Sequence, residues 1–394
     1  MRRLLARLAL VLVSFLVALA LAEAGVRLFA RQDLVTEDLR YEAHPTVGFR
    51  LEPLTYVDHR IPSRINNLGL RGEDVDSKAS GEHRVLMLGD SFTFGAGVAV
   101  EEAFPQRLDR MLPGAAPIEE GKTTRVVNGG TPSYGTLREL AWLKAFGDDV
   151  DADEIVLCFF VGNDFTDNTD ATPHIFDGRM FDAEHGEESD WQLRLRIWRH
   201  KSHLYRLLAR GRTQAEAAPE PASQEPAPQY TEEQKRAYLD QLHNNFALEQ
   251  APRLAIYARP ENQSPATAEA YAATERGLDG VRDWCRAAGV PLSVVIIPDV
   301  MQVEDHIIQR VLAQVPALDP ATADFVRPQT FVRTWCEANG IPVVDLLQPM
   351  RQRTQELKAG DPEASLYLFT DSHWNADGHA FGAERIARVL WDRP

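Results

Sequence analysis

The sequence predicts an α/β fold, a parallel sheet of about five strands covered by helices on both faces. Two observations carry this. Short aliphatic, β-branched runs alternate along the chain with longer segments of helical periodicity. Each short run also ends on glycine, proline or a small polar residue. Arg84–Leu88 ends at Gly89, and Arg125–Val127 ends at Asn128, Gly129 and Gly130. Ile155–Val161 ends at Gly162, Leu292–Ile297 ends at Pro298, and Pro342–Val344 leads into Asp345. The helical patterns between and after them cover Phe104–Met111, Leu137–Phe146, Ala268–Ala288, Gln329–Ala338 and Ala376–Leu390. Ligands of such sheets sit beyond the carboxyl ends of the strands, which is where the small and polar residues cluster.

The chain has 394 residues, 44% apolar and 25% charged, enough to bury a sizeable core. Its 42 basic and 58 acidic residues leave a net charge of −16, which argues against a nucleic-acid partner. Three cysteines (Cys158, Cys285 and Cys336) give neither a disulfide framework nor a Cys-x-x-Cys pair. Cys158 falls in an expected core strand and reads as a small buried hydrophobe.

The N-terminus has the layout of an export signal. Arg2, Arg3 and Arg7 precede a run from Leu8 to Ala22 that only Ser14 interrupts. At ~1.5 Å per residue the run covers roughly 22 Å, against ~30 Å of hydrocarbon core. Counted from Leu4, with Arg7 snorkelling, it just spans. Residues 1–31 thus read as an uncleaved membrane anchor; a signal cleaved near Ala20-Leu21-Ala22 and a buried core helix are the alternatives. The leading arginines favour the N-terminus inside, with the body of the protein outside the cytoplasmic membrane.

Residues 32–82 are polar, carry Pro45, Pro53 and Pro62, and read as an extended approach to the main domain, 83–392. A long insert, 165–264, breaks the strand–helix rhythm. Within it Ala215–Pro228 is rich in Ala, Pro, Glu and Gln and reads as a disordered linker. Trp191–Arg212 sets seven basic residues among apolar ones; such a segment lies on anionic lipid or packs on the domain with a solvated basic face.

The residues that could do chemistry stand at strand ends. Ser91, in Gly89-Asp90-Ser91-Phe92-Thr93-Phe94-Gly95, has the exposure and the adjacent amide that a nucleophile needs, though Asp-Ser also suits a polar turn. Gly130 lets a backbone N–H approach a ligand with no Cβ in the way. The Asn163 amide can donate to a developing oxyanion. In Asp371-Ser372-His373-Trp374-Asn375, His373 can act as general base with Asp371 on its other ring nitrogen. Each also has a structural reading: turn glycine for Gly130, backbone cap for Asn163, cap of the last helix for Asp371. His379 is a second candidate base, but its place inside the last helix suits packing. Asp90, Asp164 and Asp167 suggest a metal as readily as caps or loop residues, with no histidine at ligand spacing. Gly121-Lys122-Thr123 ends like a phosphate loop, but Ala116 replaces its leading glycine. No Gly-x-Ser-x-Gly elbow occurs.

These blocks (Gly-Asp-Ser, Asn-x-Gly, Gly-Asn-Asp and Asp-x-His) resemble those of the SGNH, or GDSL-type, hydrolases over residues 85–390 without the insert. Asn67-Leu68-Gly69-Leu70-Arg71 and the apolar N-terminus resemble the membrane-anchored bacterial branch. The resemblance implies a flavodoxin-like α/β/α sandwich and a serine esterase that uses no metal or other cofactor. It implies Ser91 as nucleophile, with the oxyanion held by Ser91 N–H, Gly130 N–H and the Asn163 side chain. His373 is then the base and Asp371 its orienter. Many members have Asp-x-x-His; the Asp-x-His here resembles the alginate-type O-acetyltransferases and keeps acyl transfer open beside hydrolysis. The expected substrates are short acyl or acetyl esters, with envelope polysaccharide as the expected carrier. A non-catalytic envelope scaffold is the reading from another class.

Overall fold

The computed structural model describes residues 2–29, 39–58, 61–112, 123–169, 172–176, 178–181, 202–205, 207, 251–314, 321–368 and 372–392. The chain divides into two units: residues 1–35 with 181–229, and residues 36–180 with 230–394.

The second unit is built on five parallel strands: β1 (Glu82–Gly89), β2 (Thr123–Gly130), β3 (Glu154–Phe160), β4 (Leu292–Ile297) and β5 (Val343–Asp345). They lie in the order β5-β4-β3-β1-β2. Read from the other edge this is 2-1-3-4-5, the doubly wound flavodoxin-like order, whose switch point falls between β1 and β3. Right-handed crossovers require helices on both faces of such a sheet. Helix Thr136–Val150 accordingly packs on Pro265–Ala288, and Ala376–Trp391 packs on Phe104–Met111. β1, β3 and β4 are buried almost throughout, which is why they read as unbroken aliphatic runs rather than alternating ones.

All five expected strands and all five expected helices of this unit are present, within a few residues of the sequence reading. Helix Leu347–Gly360 was not anticipated. Only Leu347, Met350 and Thr354 of it are buried, too sparse an apolar stripe to announce a helix. Residues 41–64, read as an extended approach, form two antiparallel hairpins, Tyr41–His44 with Gly48–Leu51 and Thr55–Asp58 with Ile61–Arg64. Val47, Phe49, Leu68, Leu70 and Val75 join the main core. The prolines obscured these strands, which are only four residues long.

In the first unit, Arg2–Phe29 is one helix of 28 residues. The Glu23 carboxylate accepts hydrogen bonds from Ser202 Oγ (2.8 Å) and from the amides of His203 and Leu204 (2.9 Å each). Among the described residues no helix is long and apolar enough to cross a membrane. The side chains of Leu4, Leu5, Leu8, Ala9, Leu12 and Leu16 are not among those described. The linker expected at 215–228 lies outside the described residues, as does all of the basic segment 191–212 except 202–205 and 207.

Candidate active site

The sheet ends where β1 and β2 present two glycines side by side, Gly89 paired with Gly130. Immediately above them sits a single helical turn, Ser91–Phe94. A Cβ on Gly89 would lie 2.1 Å from Thr93 Oγ1, and one on Gly130 would lie 2.1 Å from the Phe94 nitrogen. Both glycines are required because the turn rests directly on the strand ends. Asp90 caps the turn, its Oδ1 accepting the Phe92 N–H at 2.9 Å. Gly95 closes it in the left-handed region at φ +83°, donating to the Ser91 and Phe92 carbonyls.

Ser91 is thereby held at the first position of the turn, half-buried, with Oγ 2.6 Å from His373 Nε2. His373 arrives on the loop before the last helix. Its carbonyl accepts the Leu368 N–H at 2.8 Å. Asn375 caps that helix through Gly378 N–H at 2.9 Å and ties the loop down through the Ser365 and Tyr367 carbonyls. The cap role weighed for Asp371 thus belongs to Asn375. The Phe92 ring lies 4.9 Å from the His373 ring, with Phe160 and Trp374 behind it. This aromatic wall fixes the imidazole plane, and the sequence reading missed it. Asp371 lies outside the described residues.

Asn163 follows β3 and is 7% exposed. Its Nδ2 donates to Asp167 Oδ2 at 2.8 Å, which fixes the amide with its nitrogen toward Asp167. Arg253 Nη2 lies 3.8 Å from the other Asp167 oxygen. One Nδ2 hydrogen is thus committed and a second is left for a ligand. The Gly130 amide has a different fate from the one read in the sequence: it donates to Asn128 Oδ1 at 3.0 Å. What Gly130 supplies here is room for the nucleophile's turn. His379 is fully buried in the last helix, its Nδ1 accepting the Phe104 N–H at 3.3 Å. Burial lowers its pKa to about 3, so it is neutral and serves as packing.

The floor of the site is acidic. Asp90 is fully buried, and desolvation pushes its carboxyl up to about 6, against the pull of the Phe92 amide and His373. Its Oδ2 lies 3.4 Å from Ser91 Oγ. Burial first, then repulsion from Asp90 and Asp167, holds the Glu139 and Asp164 carboxyls well above their ordinary range. Asp164 Oδ2 accepts the Phe160 N–H at 2.9 Å, and both Glu139 oxygens are buried without a hydrogen-bond partner. Among the described residues no group of three or more His, Cys, Asp or Glu side chains is placed to hold a metal ion. The chemistry this arrangement can perform is proton transfer from a serine hydroxyl to an imidazole beside a partly free amide donor.

Residues 256–394 match the family model of the SGNH hydrolase-like domain, acetyltransferase AlgX. A search among curated proteins finds no match. Three solved structures are similar over most of this chain. A lipolytic protein of the G-D-S-L family from Desulfitobacterium hafniense DCB-2 has 10% identity and a TM-score of 0.36, over 78% of this chain and 99% of that one. The acetylxylan esterase Axe2 from Geobacillus stearothermophilus has 12% and 0.37, over 80% and 97%. The diltiazem-metabolizing gut microbial enzyme BT4096 has 13% and 0.38, over 80% of this chain; the match spans about half (48%) of that enzyme's length. These likenesses are too distant to bear on substrate. The 2-1-3-4-5 sheet and the serine after β1 stand beside a family model that matches the C-terminal third of the chain, residues 256–394, which holds His373 but not Ser91.

Proposed function

We propose that the chain is a serine esterase of SGNH type that cleaves short acyl esters outside the cytoplasm. One observation carries the reading: the 2.6 Å contact between Ser91 Oγ and His373 Nε2, two residues 282 positions apart in the chain. His373 accepts the hydroxyl proton as Ser91 Oγ attacks the ester carbonyl. The Ser91 amide, at a turn position with no intrahelical partner, and the second Asn163 Nδ2 hydrogen receive the developing oxyanion. The tetrahedral intermediate collapses, the alkoxide leaves with the proton from His373, and water delivered by the same base releases the acyl group. Asp371 is assigned as the orienter of His373 on the motif alone.

Acyl transfer is the second reading, favoured by the acetyltransferase whose domain model the C-terminal third matches. A glycan hydroxyl would then take the place of water, with the same residues, and an acetylated envelope polysaccharide would be the product. We also propose that the N-terminal helix anchors the chain in the cytoplasmic membrane. Leu10, Val11, Val13, Phe15, Val17 and Leu21 are 53–68% exposed on it, an apolar surface of the kind lipid covers.

The test is a fluorophosphonate probe on the full chain, with the adduct located by mass spectrometry. Alongside it runs p-nitrophenyl acetate turnover for wild type, Ser91→Ala and His373→Ala. An adduct on Ser91 and loss of turnover in both variants are expected. Neither adduct nor turnover would overturn the reading in favour of a non-catalytic scaffold. Donor-dependent labelling of a glycan with slow hydrolysis would decide for transfer.

A further inference from the structure

We infer that Arg71, far from the reacting atoms in sequence, is a positioning residue for the nucleophile, an assignment that rests on the esterase reading above. Arg71 is 3% exposed. Its Nη1 donates to the Phe94 carbonyl (3.0 Å) and to the Gly95 carbonyl (2.6 Å). Its Nη2 donates to the Val98 carbonyl (2.8 Å) and to Ser63 Oγ (2.7 Å), and Nε donates to the same hydroxyl at 3.2 Å. The guanidinium also lies over the Phe94 ring, 4.9 Å from its centroid.

The need for such a group follows from the turn itself. Four helical residues cannot repay the cost of helix nucleation, so Ser91–Phe94 has little stability of its own. Its last carbonyls have no intrahelical partners. Arg71, with Asn128 Nδ2 at 3.4 Å, satisfies that of Phe94, binds those of Gly95 and Val98 just beyond it, and places a positive charge at the end of the turn where carbonyl dipoles converge. Lysine could not do this, because one ammonium cannot reach three carbonyls and a hydroxyl from one fixed plane.

The residues that present Arg71 form a built loop. Asn66 Oδ1 accepts the amides of Leu68 (2.9 Å) and Leu70 (3.0 Å), and the Asn66 backbone N–H donates to the Leu70 carbonyl at 2.7 Å. Gly69 takes φ +78°, and a Cβ there would lie 2.9 Å from the Leu51 carbonyl. Asn66 to Arg71 is thus a rigid bracket. Through it, residues upstream of the sheet fix the C-terminal half of the turn that carries Ser91. Freed of the bracket, the turn would let Ser91 Oγ drift from its 2.6 Å contact with His373. A displacement of about 1 Å costs on the order of 10²-fold in rate.

The experiment uses the full chain and compares wild type, Arg71→Ala, Arg71→Lys and Ser63→Ala. Arg71→Ala should lose on the order of 10²-fold in kcat and in the rate of Ser91 labelling, with KM within about threefold. Free guanidinium at tens of millimolar should restore at least tenfold of this, and methylammonium should not; Arg71→Lys should recover only a part. The Gly95 and Ala96 amides, each 3.0 Å from the Ser91 carbonyl, should exchange hydrogen faster in Arg71→Ala. A folded Arg71→Ala with unchanged kcat and exchange overturns the assignment, as does equal recovery with a neutral osmolyte in place of guanidinium. If Arg71→Ala does not fold, Ser63→Ala decides: a three- to tenfold loss of kcat sustains the proposal and no loss overturns it. If wild type neither labels at Ser91 nor turns over, the esterase reading has failed, and exchange at Gly95 and Ala96 alone decides whether Arg71 holds the turn.

Discussion

Asp90 gives the sharpest test of how the buried acids act on the reaction. Its Oδ1 caps the turn and its Oδ2 faces Ser91 Oγ, so Asp90→Asn keeps the capping oxygen, removes the charge and sets an amide nitrogen in place of Oδ2. Measured through Ser91 Oγ, the charge lies at most about 6 Å from His373 Nε2, where the imidazolium forms. At an effective dielectric near 20, two unit charges at that distance attract by about 2.8 kcal/mol, or ~100-fold in rate. The carboxyl is pushed up to about 6 by burial, so this help is present only once it ionises. The kcat of wild type divided by that of Asp90→Asn should therefore be ~100 at pH 8, ~10 at pH 5 and ~2 at pH 4, because the ionised fraction falls tenfold per pH unit below 6. Stopped-flow turnover of p-nitrophenyl acetate across pH 4–8 measures it. No loss at pH 8 would refute the electrostatic argument and leave Asp90 as a cap alone, and a loss of the same size at every pH would assign the effect to the missing Oδ2 acceptor rather than to charge.

Three further outcomes are expected. Gly130→Ala drives a Cβ to 2.1 Å from the Phe94 nitrogen, so probe labelling of Ser91 should drop by at least ~10-fold and Tm should fall; unchanged labelling would mean the turn does not rest on the strand ends. Asn163→Ala should cost ~10²–10³-fold in kcat with little change in KM, and a loss confined to KM would remove Asn163 from the oxyanion site. Asp299 is buried and its carboxyl is pushed from 3.8 up to about 6, so its proton is held more tightly folded than unfolded; its contribution is complete below pH 4 and falls as pH rises to 6. Asp299→Asn keeps the acceptor for the Met301 amide, and its stability relative to wild type should rise by about 2.4 kcal/mol between pH 4 and pH 7 in urea unfolding; a flat difference would refute it.

The strands were legible because burial on both faces leaves unbroken aliphatic runs, as in Leu292–Ile297. Ser91 was legible as a strand-end residue, whereas His373, on the loop before the last helix, was legible only from the Asp-x-His block. The fate of the Gly130 amide was not. A glycine at a strand end signals a missing Cβ, and nothing in the spacing says whether that spares a ligand or a neighbouring turn. No pattern in the sequence singled out Phe92, and only the fold sets its ring against His373. Arg71 was visible only as the last residue of the Asn67–Arg71 block, and the carbonyls it satisfies lie 23 to 27 residues onward.

These supports act on different freedoms of one short element. Gly89 and Gly130 set its height above the sheet, Asp90 fixes its start, Arg71 fixes its end, and Phe92 carries its position to the imidazole plane. A single turn has too few internal hydrogen bonds to keep any of these for itself. The precision of a 2.6 Å contact is therefore stored outside the four residues that display it, in an arginine of the loop after the second hairpin and two glycines of the sheet. That is why residues 41–71 must be packed against the sheet for the serine to be held in place, and why the region that looked like an approach to the domain supports its site.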